Sequence, residues 1–309
     1  MKRKILNAAQ KFGLDMRGKT VLTEAATGNY VVTSVIAACA GANVLAYTKD
    51  SSYGSEEETT RQTSLLAESL GVESSIEIVT NLQYLDLKSV DVVTNTGFLR
   101  PLNGDLINRL SSKCVIPLMW EPWEYREGEL DLDACKIKGI KVYGTNESDK
   151  RLRTMEYLGF VALELMLTNK RSPFSCPNVL LIGSKAFVNP ARDILVSSRY
   201  DVDVVTDYAT EKCNVSKFDV IIVMENERNL PLIASQDAFI ECSAIREDAL
   251  VIHICGNVDL QEASFSFIPE NPKQFGYMSY TTDYVDNQAV IDLHAAGLSV
   301  AEGMLKANA

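Results

Sequence analysis

Short runs of apolar, often β-branched residues recur along the chain, separated by stretches whose apolar positions fall at helical spacing. The first set comprises Thr20–Glu24, Asn43–Thr48, Ile76–Thr80, Val90–Asn95 and Cys114–Met119, each predicting a strand. A small-residue helix is predicted over Val31–Ala40 and a polar one over Glu56–Leu70. Strands so uniformly apolar are buried on both faces, as in a parallel sheet covered by helices. The pattern then restarts with Asn178–Gly183, Asp201–Thr206, Phe218–Val223 and Leu250–Ile254. A long apolar helix at Lys150–Thr168 and a proline-marked segment, Arg171–Pro177, separate the two sets near residue 172. A final helix is predicted over Asp286–Lys306.

The alternation predicts an α/β protein: two doubly wound parallel-sheet domains, Rossmann- or flavodoxin-like. An interdomain helix joins them, and a C-terminal helix crosses back to the first. The expected division is 1–148 plus 285–309 for a substrate-binding domain, and 149–284 for a Rossmann-like dinucleotide-binding domain. A length of 309 residues suits two domains.

Composition narrows the function classes. With 46% hydrophobic and 23% charged residues the chain is globular, which excludes disorder, collagen and coiled coil. The net charge of −11 argues against a nucleic-acid surface, leaving room only for a local basic pocket. Seven cysteines form no Cys-x-x-Cys pair and there are two histidines, so no metal site is expected. Scattered thiols suit a reducing cytoplasm. Met1-Lys-Arg-Lys4 is basic, but Asn7, Gln10, Lys11 and Asp15 interrupt any signal-like apolar region. No run of eighteen apolar residues follows, so the expectation is a soluble cytoplasmic protein without a membrane partner.

Ligands of open parallel sheets bind beyond the carboxyl ends of the strands, so those residues are the candidates. The first strand runs into Thr23-Glu-Ala-Ala-Thr-Gly-Asn29, where Gly28 lets the backbone turn into a helix start suited to an anion. The second ends in Thr48-Lys-Asp-Ser-Ser-Tyr-Gly54 and the fourth in Thr94-Asn-Thr-Gly-Phe-Leu-Arg100. Glu24, Gly28, Asn29, Lys49, Asn95 and Arg100 thereby become substrate-binding candidates. The plain alternative is turn chemistry serving the backbone. Both tryptophans fall in Met119-Trp-Glu-Pro-Trp-Glu-Tyr-Arg126. Aromatic faces beside carboxylates suit an organic ligand. Trp120 and Arg126 join the substrate set on this reading, and Glu121 is a catalytic candidate. A packed loop turned by Pro122, with Arg126 paired to a glutamate, is the alternative.

The second half opens with Ile182-Gly-Ser-Lys-Ala-Phe-Val188. A dinucleotide fingerprint would read Gly-x-Gly-x-x-Gly; Gly183 is present, with Lys185 and Val188 in the other two places. Lys185 is then the group that reaches a phosphate. Asp207 closes the next strand 24 positions after Gly183, a spacing that fits an acid on a ribose hydroxyl and favours NAD over NADP. Gly183, Ser184, Lys185, Asp207, Asn226, Cys255 and Gly256 form the candidate cofactor set. His253 falls at a strand end beside Cys255 and is the first choice for moving a proton. Tyr280, in the hydroxyl-rich stretch Gly276–Tyr284, is the second. A hydrogen-bonded core histidine and an inert buried thiol are the alternatives. His294 shares a helical face with Val290, Gly297 and Ala301 and is expected to point inward.

The chain resembles the D-isomer-specific 2-hydroxyacid dehydrogenase family, of the formate/glycerate dehydrogenase type. The resemblance is carried by Leu130–Tyr143, by Asn146–Leu167, which is similar to that family's interdomain helix, and by Ala244–Asp259. It spans residues 90 to 305. It implies NAD as cofactor, a small-molecule substrate in an interdomain cleft, and a homodimer formed around the interdomain helix. Two departures stand out. The family's arginine before the glycine matching Gly256 is Cys255 here, and no histidine occurs in Met278-Ser-Tyr-Thr-Thr282.

The resulting expectation is an NAD(P)-dependent oxidoreductase acting on a small polar, hydroxylated or anionic metabolite, with NADP as the alternative cofactor. Two other readings stay open. One is a catalytically altered dehydrogenase-like protein that binds a nucleotide or metabolite. The other is a transferase or hydrolase acting on a nucleotide or sugar phosphate.

Overall fold

A computed structural model describes residues 1–308 apart from Tyr53, Glu121, Trp123, Glu124, Cys176 and residues 210–212. The chain forms two units. The first holds Met1–Leu152 with Asn287–Ala309, and the second Arg153–Asp286.

The first unit opens with α1 (Lys2–Phe12), whose buried face is Ile5, Ala8 and Phe12 and which stops at left-handed Gly13. Then come β1 (Thr20–Glu24), α2 (Val32–Cys39), β2 (Asn43–Tyr47), α3 (Glu56–Leu70) and β3 (Ile76–Val79). β4 (Val92–Val93), α4 (Gly104–Arg109), β5 (Val115–Pro117), α5 (Leu132–Lys138) and β6 (Lys141–Tyr143) complete the first pass. The second unit comprises α6 (Thr154–Thr168), β7 (Asn178–Gly183), α7 (Lys185–Ser197), β8 (Asp201–Val205) and β9 (Val220–Met224). It continues through β10 (Pro231–Ala234), β11 (Ile240–Glu241), β12 (Leu250–Cys255), β13 (Asn257–Val258) and β14 (Ser266–Ile268). The chain then returns to the first unit as α8 (Gln288–Lys306).

All six strands of the first sheet are parallel, in the order β3-β2-β1-β4-β5-β6. The second unit has a five-stranded parallel sheet, β14-β12-β9-β7-β8. A small parallel sheet, β11-β10-β13, stands beside it in the same unit. Both large sheets start in the middle and wind outward in both directions, as doubly wound folds do.

Local chemistry explains the element ends. Ser55 caps α3, its Oγ accepting from the Glu58 N–H, and three glutamates in the first turn complement the helix dipole. Left-handed Gly71 closes the same helix. β4 is shorter than the expected strand because the Asp91 carboxylate takes the Thr20 N–H at 2.8 Å, and because Thr94–Thr96 turn to a hydroxyl network. β6, β14 and the small sheet are two to four residues long, too short to show a period in the sequence. The long apolar helix, α6, belongs to the second unit and packs on α7. A Cβ on Gly159 would come 2.9 Å from Ile194 Cγ1, so glycine permits that contact. Among the described residues no helix is long and apolar enough to cross a membrane.

α8 lays its face of Val290, His294 and Ala301 into the first unit's core, against α1 and α2. Gly297 lies so close to Met119 that a Cβ would meet its sulfur at 2.6 Å. His294 is buried, with Nδ1 hydrogen-bonded to the Thr33 hydroxyl and its ring tilted against Tyr30. Burial pushes the imidazole down to about 4, from 6.5. The unfolded chain therefore takes up a proton that the native state refuses. Stability from this group is complete above pH 6.5 and is lost as pH falls toward 4, by about 1.4 kcal/mol per pH unit. Urea unfolding is expected to show this as a difference: the stability of the wild type relative to His294→Asn should fall by about this slope between pH 6 and pH 5, because the raised Glu24 carboxyl adds the opposite slope to both proteins alike.

Candidate functional site

Each sheet has one point where the strand order reverses, and there the loops diverge to leave a crevice. In the first unit this point lies between β1 and β4. Thr23 Oγ1 meets Thr94 Oγ1 at 2.8 Å, and Thr94 meets Thr96 at 2.9 Å, so hydroxyls bridge the two strand ends. Asn95 is buried and its Oδ1 accepts the Met119 N–H at 3.0 Å, tying the end of β4 to the segment after β5.

Glu24, the last residue of β1, is 6% exposed. Its Oε2 accepts the Phe98 N–H at 3.1 Å. The carboxyl lies directly under Gly97, where a Cβ would fall 1.9 Å from that oxygen. Burial pushes the carboxyl up to about 7, while the Phe98 N–H and the positive charge of Arg100 pull it back only in part.

Arg100 stands over the Trp120 ring, its guanidinium carbon 4.8 Å from the ring centre. It donates to Glu129 Oε1 at 2.9 Å, and Arg126 meets the same oxygen at 3.4 Å. The Trp120 Nε1–H is buried and has no acceptor among the described residues. Arg100, Trp120 and Arg126 are thus linked through Arg100 and Glu129, with Asn95 bracing the strand ends and the Arg100 charge acting on Glu24.

The remaining substrate candidates lie at neighbouring loop positions. Gly28 has φ 62, the left-handed conformation the turn out of β1 requires, and its N–H donates to Gln62 Oε1 at 2.9 Å. Asn29 is half-buried in the following turn, and Lys49 is exposed just beyond β2. Among the described residues no hydrogen bond or ion pair joins these three to the Arg100 group. Glu121 lies outside the described residues.

The second unit reverses between β7 and β9. A Cβ on Gly183 would stand 2.0 Å from the Met224 carbonyl oxygen, so this glycine is required by its own sheet, whatever else it serves. Ser184 immediately precedes α7; its N–H donates to the Met224 carbonyl at 3.2 Å and its hydroxyl to Asn226 Oδ1. Lys185, first in α7, is exposed. Asp207, just past β8, is exposed and accepts the Ala209 N–H at 3.1 Å.

Glu225, directly after β9, has no exposed surface. Its carboxylate accepts from the Tyr208 hydroxyl at 2.6 Å, from Arg228 Nη2 at 2.7 Å, and from the N–H groups of Glu227 and Arg228 at 2.8 and 3.1 Å. Arg228 also covers the Tyr208 ring at 4.3 Å and donates to the Thr206 carbonyl at 3.0 Å. Desolvation and the adjoining carboxylate push the Tyr208 phenol far above its ordinary range. Sequence reasoning missed this cluster, although the Glu225–Arg228 spacing after an apolar strand was its available signal. The alternative reading, Arg126 paired to a nearby glutamate, is met by Glu129, whereas its bond to Arg100 was missed because 29 positions separate the two.

His253 is fully buried on β12. Its Nε2 lies 3.1 Å from the Gly256 carbonyl and its Nδ1 2.7 Å from Ser279 Oγ. A carbonyl can only accept, so Nε2 carries the hydrogen and Nδ1 accepts from the Ser279 hydroxyl. Ser279 Oγ in turn accepts the Lys273 N–H at 2.9 Å. Burial pushes the imidazole down. Cys255 is buried at the strand end, and Gly256 takes φ 130, where a side chain is strained. Tyr280 is half-buried with its ring edge-on to Tyr284 at 5.3 Å. Among the described residues no three His, Cys, Asp or Glu side chains cluster as metal ligands.

The Glu24–Gly97 contact gives a direct test. Gly97→Ala is expected to destabilise the protein by about 1–3 kcal/mol through overpacking. In a Glu24→Ala background the same change should cost clearly less, with a coupling energy on the order of 1 kcal/mol by urea denaturation.

No family model matches the chain, and no curated protein matches it by sequence. Solved structures do. A dipicolinate synthase polypeptide from Bacillus halodurans matches with a TM-score of 0.57 at 12% identity, over 96% of this chain and 99% of that one. A dipicolinate synthase polypeptide from Bacillus subtilis gives 0.58 at 10% identity, over 96% and 97%. A D-lactate dehydrogenase from Treponema pallidum gives 0.54 at 11% identity, over 93% and 97%. Over nearly its whole length the chain has the two-domain α/β fold of these proteins, the dehydrogenase-like fold that its sequence resemblance implied.

Proposed function

We propose that the chain is a nicotinamide-nucleotide-linked oxidoreductase, a divergent member of the D-isomer-specific 2-hydroxyacid dehydrogenase family, acting on a small polar, hydroxylated or anionic metabolite. The observation that supports this most is the fold shared over 93% of the chain with a D-lactate dehydrogenase. The second unit is the nucleotide-binding half. Its strand order opens a crevice between β7 and β9, with Ser184 and Asn226 across it, Cys255 and Gly256 at the next strand end, and Lys185 exposed at the start of α7. Asp207 is exposed at the end of β8, where an acid suits the hydroxyls of an unphosphorylated ribose, hence NAD over NADP. NAD accepts or supplies the hydride when bound. The first unit is the substrate-holding half, through Glu24, Asn95, Arg100, Trp120 and Arg126. His253, with both nitrogens engaged inside the unit, is a positioning residue that pins the segment 273–279 to β12. Tyr280 is then the group left for proton handling. A homodimer is proposed by analogy, and α6 leaves Phe160 and Leu167 40% and 47% exposed for such a contact.

A second reading is favoured by one specific observation. Cys255 is buried where the resembling family carries its arginine, and Met278–Thr282 has no histidine. On that reading the protein binds the nucleotide without turning it over.

Thermal shift with NAD⁺, NADH, NADP⁺ and NADPH tests the nucleotide site that both readings share, and turnover of 2-oxo and 2-hydroxy acids decides between them. A ligand at 100 times its Kd is expected to stabilise the protein by about 2.7 kcal/mol. NADH is expected to bind, and Asp207→Ser to weaken its preference over NADPH by about tenfold, the effect of one hydrogen bond to a charged group. No shift with any of the four overturns the nucleotide reading. A shift without turnover of any 2-oxo or 2-hydroxy acid favours the second.

A further inference from the structure

Two buried glutamates close the central strands of the two units, and their surroundings differ. Glu225 is wrapped by a hydroxyl, a guanidinium and two backbone N–H groups. Glu24, nearly as buried, receives one backbone N–H. Its second oxygen accepts no hydrogen bond among the described residues. Arg100, the cation whose charge acts on it, gives its hydrogen bond to Glu129 instead. A carboxyl held this way is favoured in its neutral form, and a neutral carboxyl is a hydrogen-bond donor.

Two donor side chains connected to it through the Arg100 charge and stacking also have hydrogens to spare. The Trp120 Nε1–H is buried without an acceptor. Arg100, stacked on that indole ring, has five N–H groups by its chemistry and spends one of them, from Nη1, on Glu129. Carboxyl and indole are therefore linked through the guanidinium, whose charge acts on Glu24 and which covers the Trp120 ring, and among the described residues Glu129 is the side-chain acceptor it uses. A buried donor without a partner is costly, so the group is complementary to a ligand rich in acceptors and negatively charged.

We propose that this crevice of the first unit binds a small carboxylate with uptake of one proton: Glu24 binds it in the protonated form and donates a hydrogen bond, while Arg100 supplies the charge and Trp120 a second donor. The inference rests on the reading of the first unit as the substrate-holding half. Only the proton moves, from solvent to a Glu24 oxygen, and no covalent bond to the ligand forms. The charged group acting on Glu24 is Arg100, with Glu129 and Arg126 behind it. On the flanking strands its neighbours are Tyr47, in register on β2, and the uncharged Thr94, Asn95 and Thr96 at the end of β4.

Titration calorimetry on the full chain with malonate and with pyruvate tests this. Glu24 is half-protonated near pH 7, so Kd is expected to rise about tenfold between pH 6 and pH 8, following the fraction of the binding-competent form. Heats measured in phosphate and in Tris at pH 7 should differ by the uptake of part of a proton. Glu24→Gln keeps a donor that cannot ionise; it should bind both probes with no such pH dependence. Trp120→Phe, which keeps the ring and removes the donor, should weaken binding about tenfold. Circular dichroism of each variant checks folding, and the wild-type pH series stands without them. Three results overturn the proposal: binding that does not change with pH in the wild type, a pH dependence that survives Glu24→Gln, or no binding of either probe at about 10 mM, beyond the range of a weak specific site. NADH binding, measured separately, reports on the second unit; its failure would remove the oxidoreductase reading and leave these carboxylate results to stand or fall alone.

Discussion

Both faces of the central strands are covered in each unit: Val21, Leu22 and Thr23 of β1, and Val179 to Gly183 of β7, have no room for water. That burial is the main favourable term for the fold, at roughly 25 cal/mol per Å² of apolar surface. It also dictates where chemistry can sit. A charged group within such a strand would be desolvated on both sides, so polar residues collect where the strands end. The crevices follow from the same winding, since loops part only where the strand order reverses. Glu24, Thr94 and Asn95 in one unit, and Ser184, Glu225 and Asn226 in the other, are consequences of this one constraint.

The ionisable groups that remain buried are handled in two ways. Glu225 is satisfied on every side, by the Tyr208 hydroxyl, the Arg228 guanidinium and two backbone N–H groups. His253 is likewise complete, held as a neutral ring by one carbonyl and one hydroxyl. These are the marks of groups that fix local structure. Glu24 is different, with one donor and a raised pKa beside a stacked arginine and an orphan indole. Incomplete satisfaction in a crevice marks a group that awaits a partner. This contrast is the ground on which the first unit's chemistry is proposed to sit at the ends of β1 and β4, with His253 proposed as a positioning residue.

The sequence by itself determined the class of fold and its rhythm. Apolar runs marked β1 and β7 to the residue, because strands buried on both faces need near-continuous apolar side chains, and β2 and β8 were placed within a residue although only part of each is buried. Ser55 and Gly71 bounded α3, because caps act locally. The candidate loops were legible too, since strand ends are where ligands meet such sheets. The order of the strands was not, because pairing depends on contacts distant in sequence. Nor was the difference between Gly183, which the Met224 carbonyl demands, and a glycine kept for a ligand. The partnership of Arg100 with Glu129 and Trp120, and the isolation of the Glu24 carboxyl beneath Gly97, were decided by tertiary structure alone. Burial and hydrogen-bond supply are properties of the folded neighbourhood, and they turn one glutamate into a brace and another into a donor.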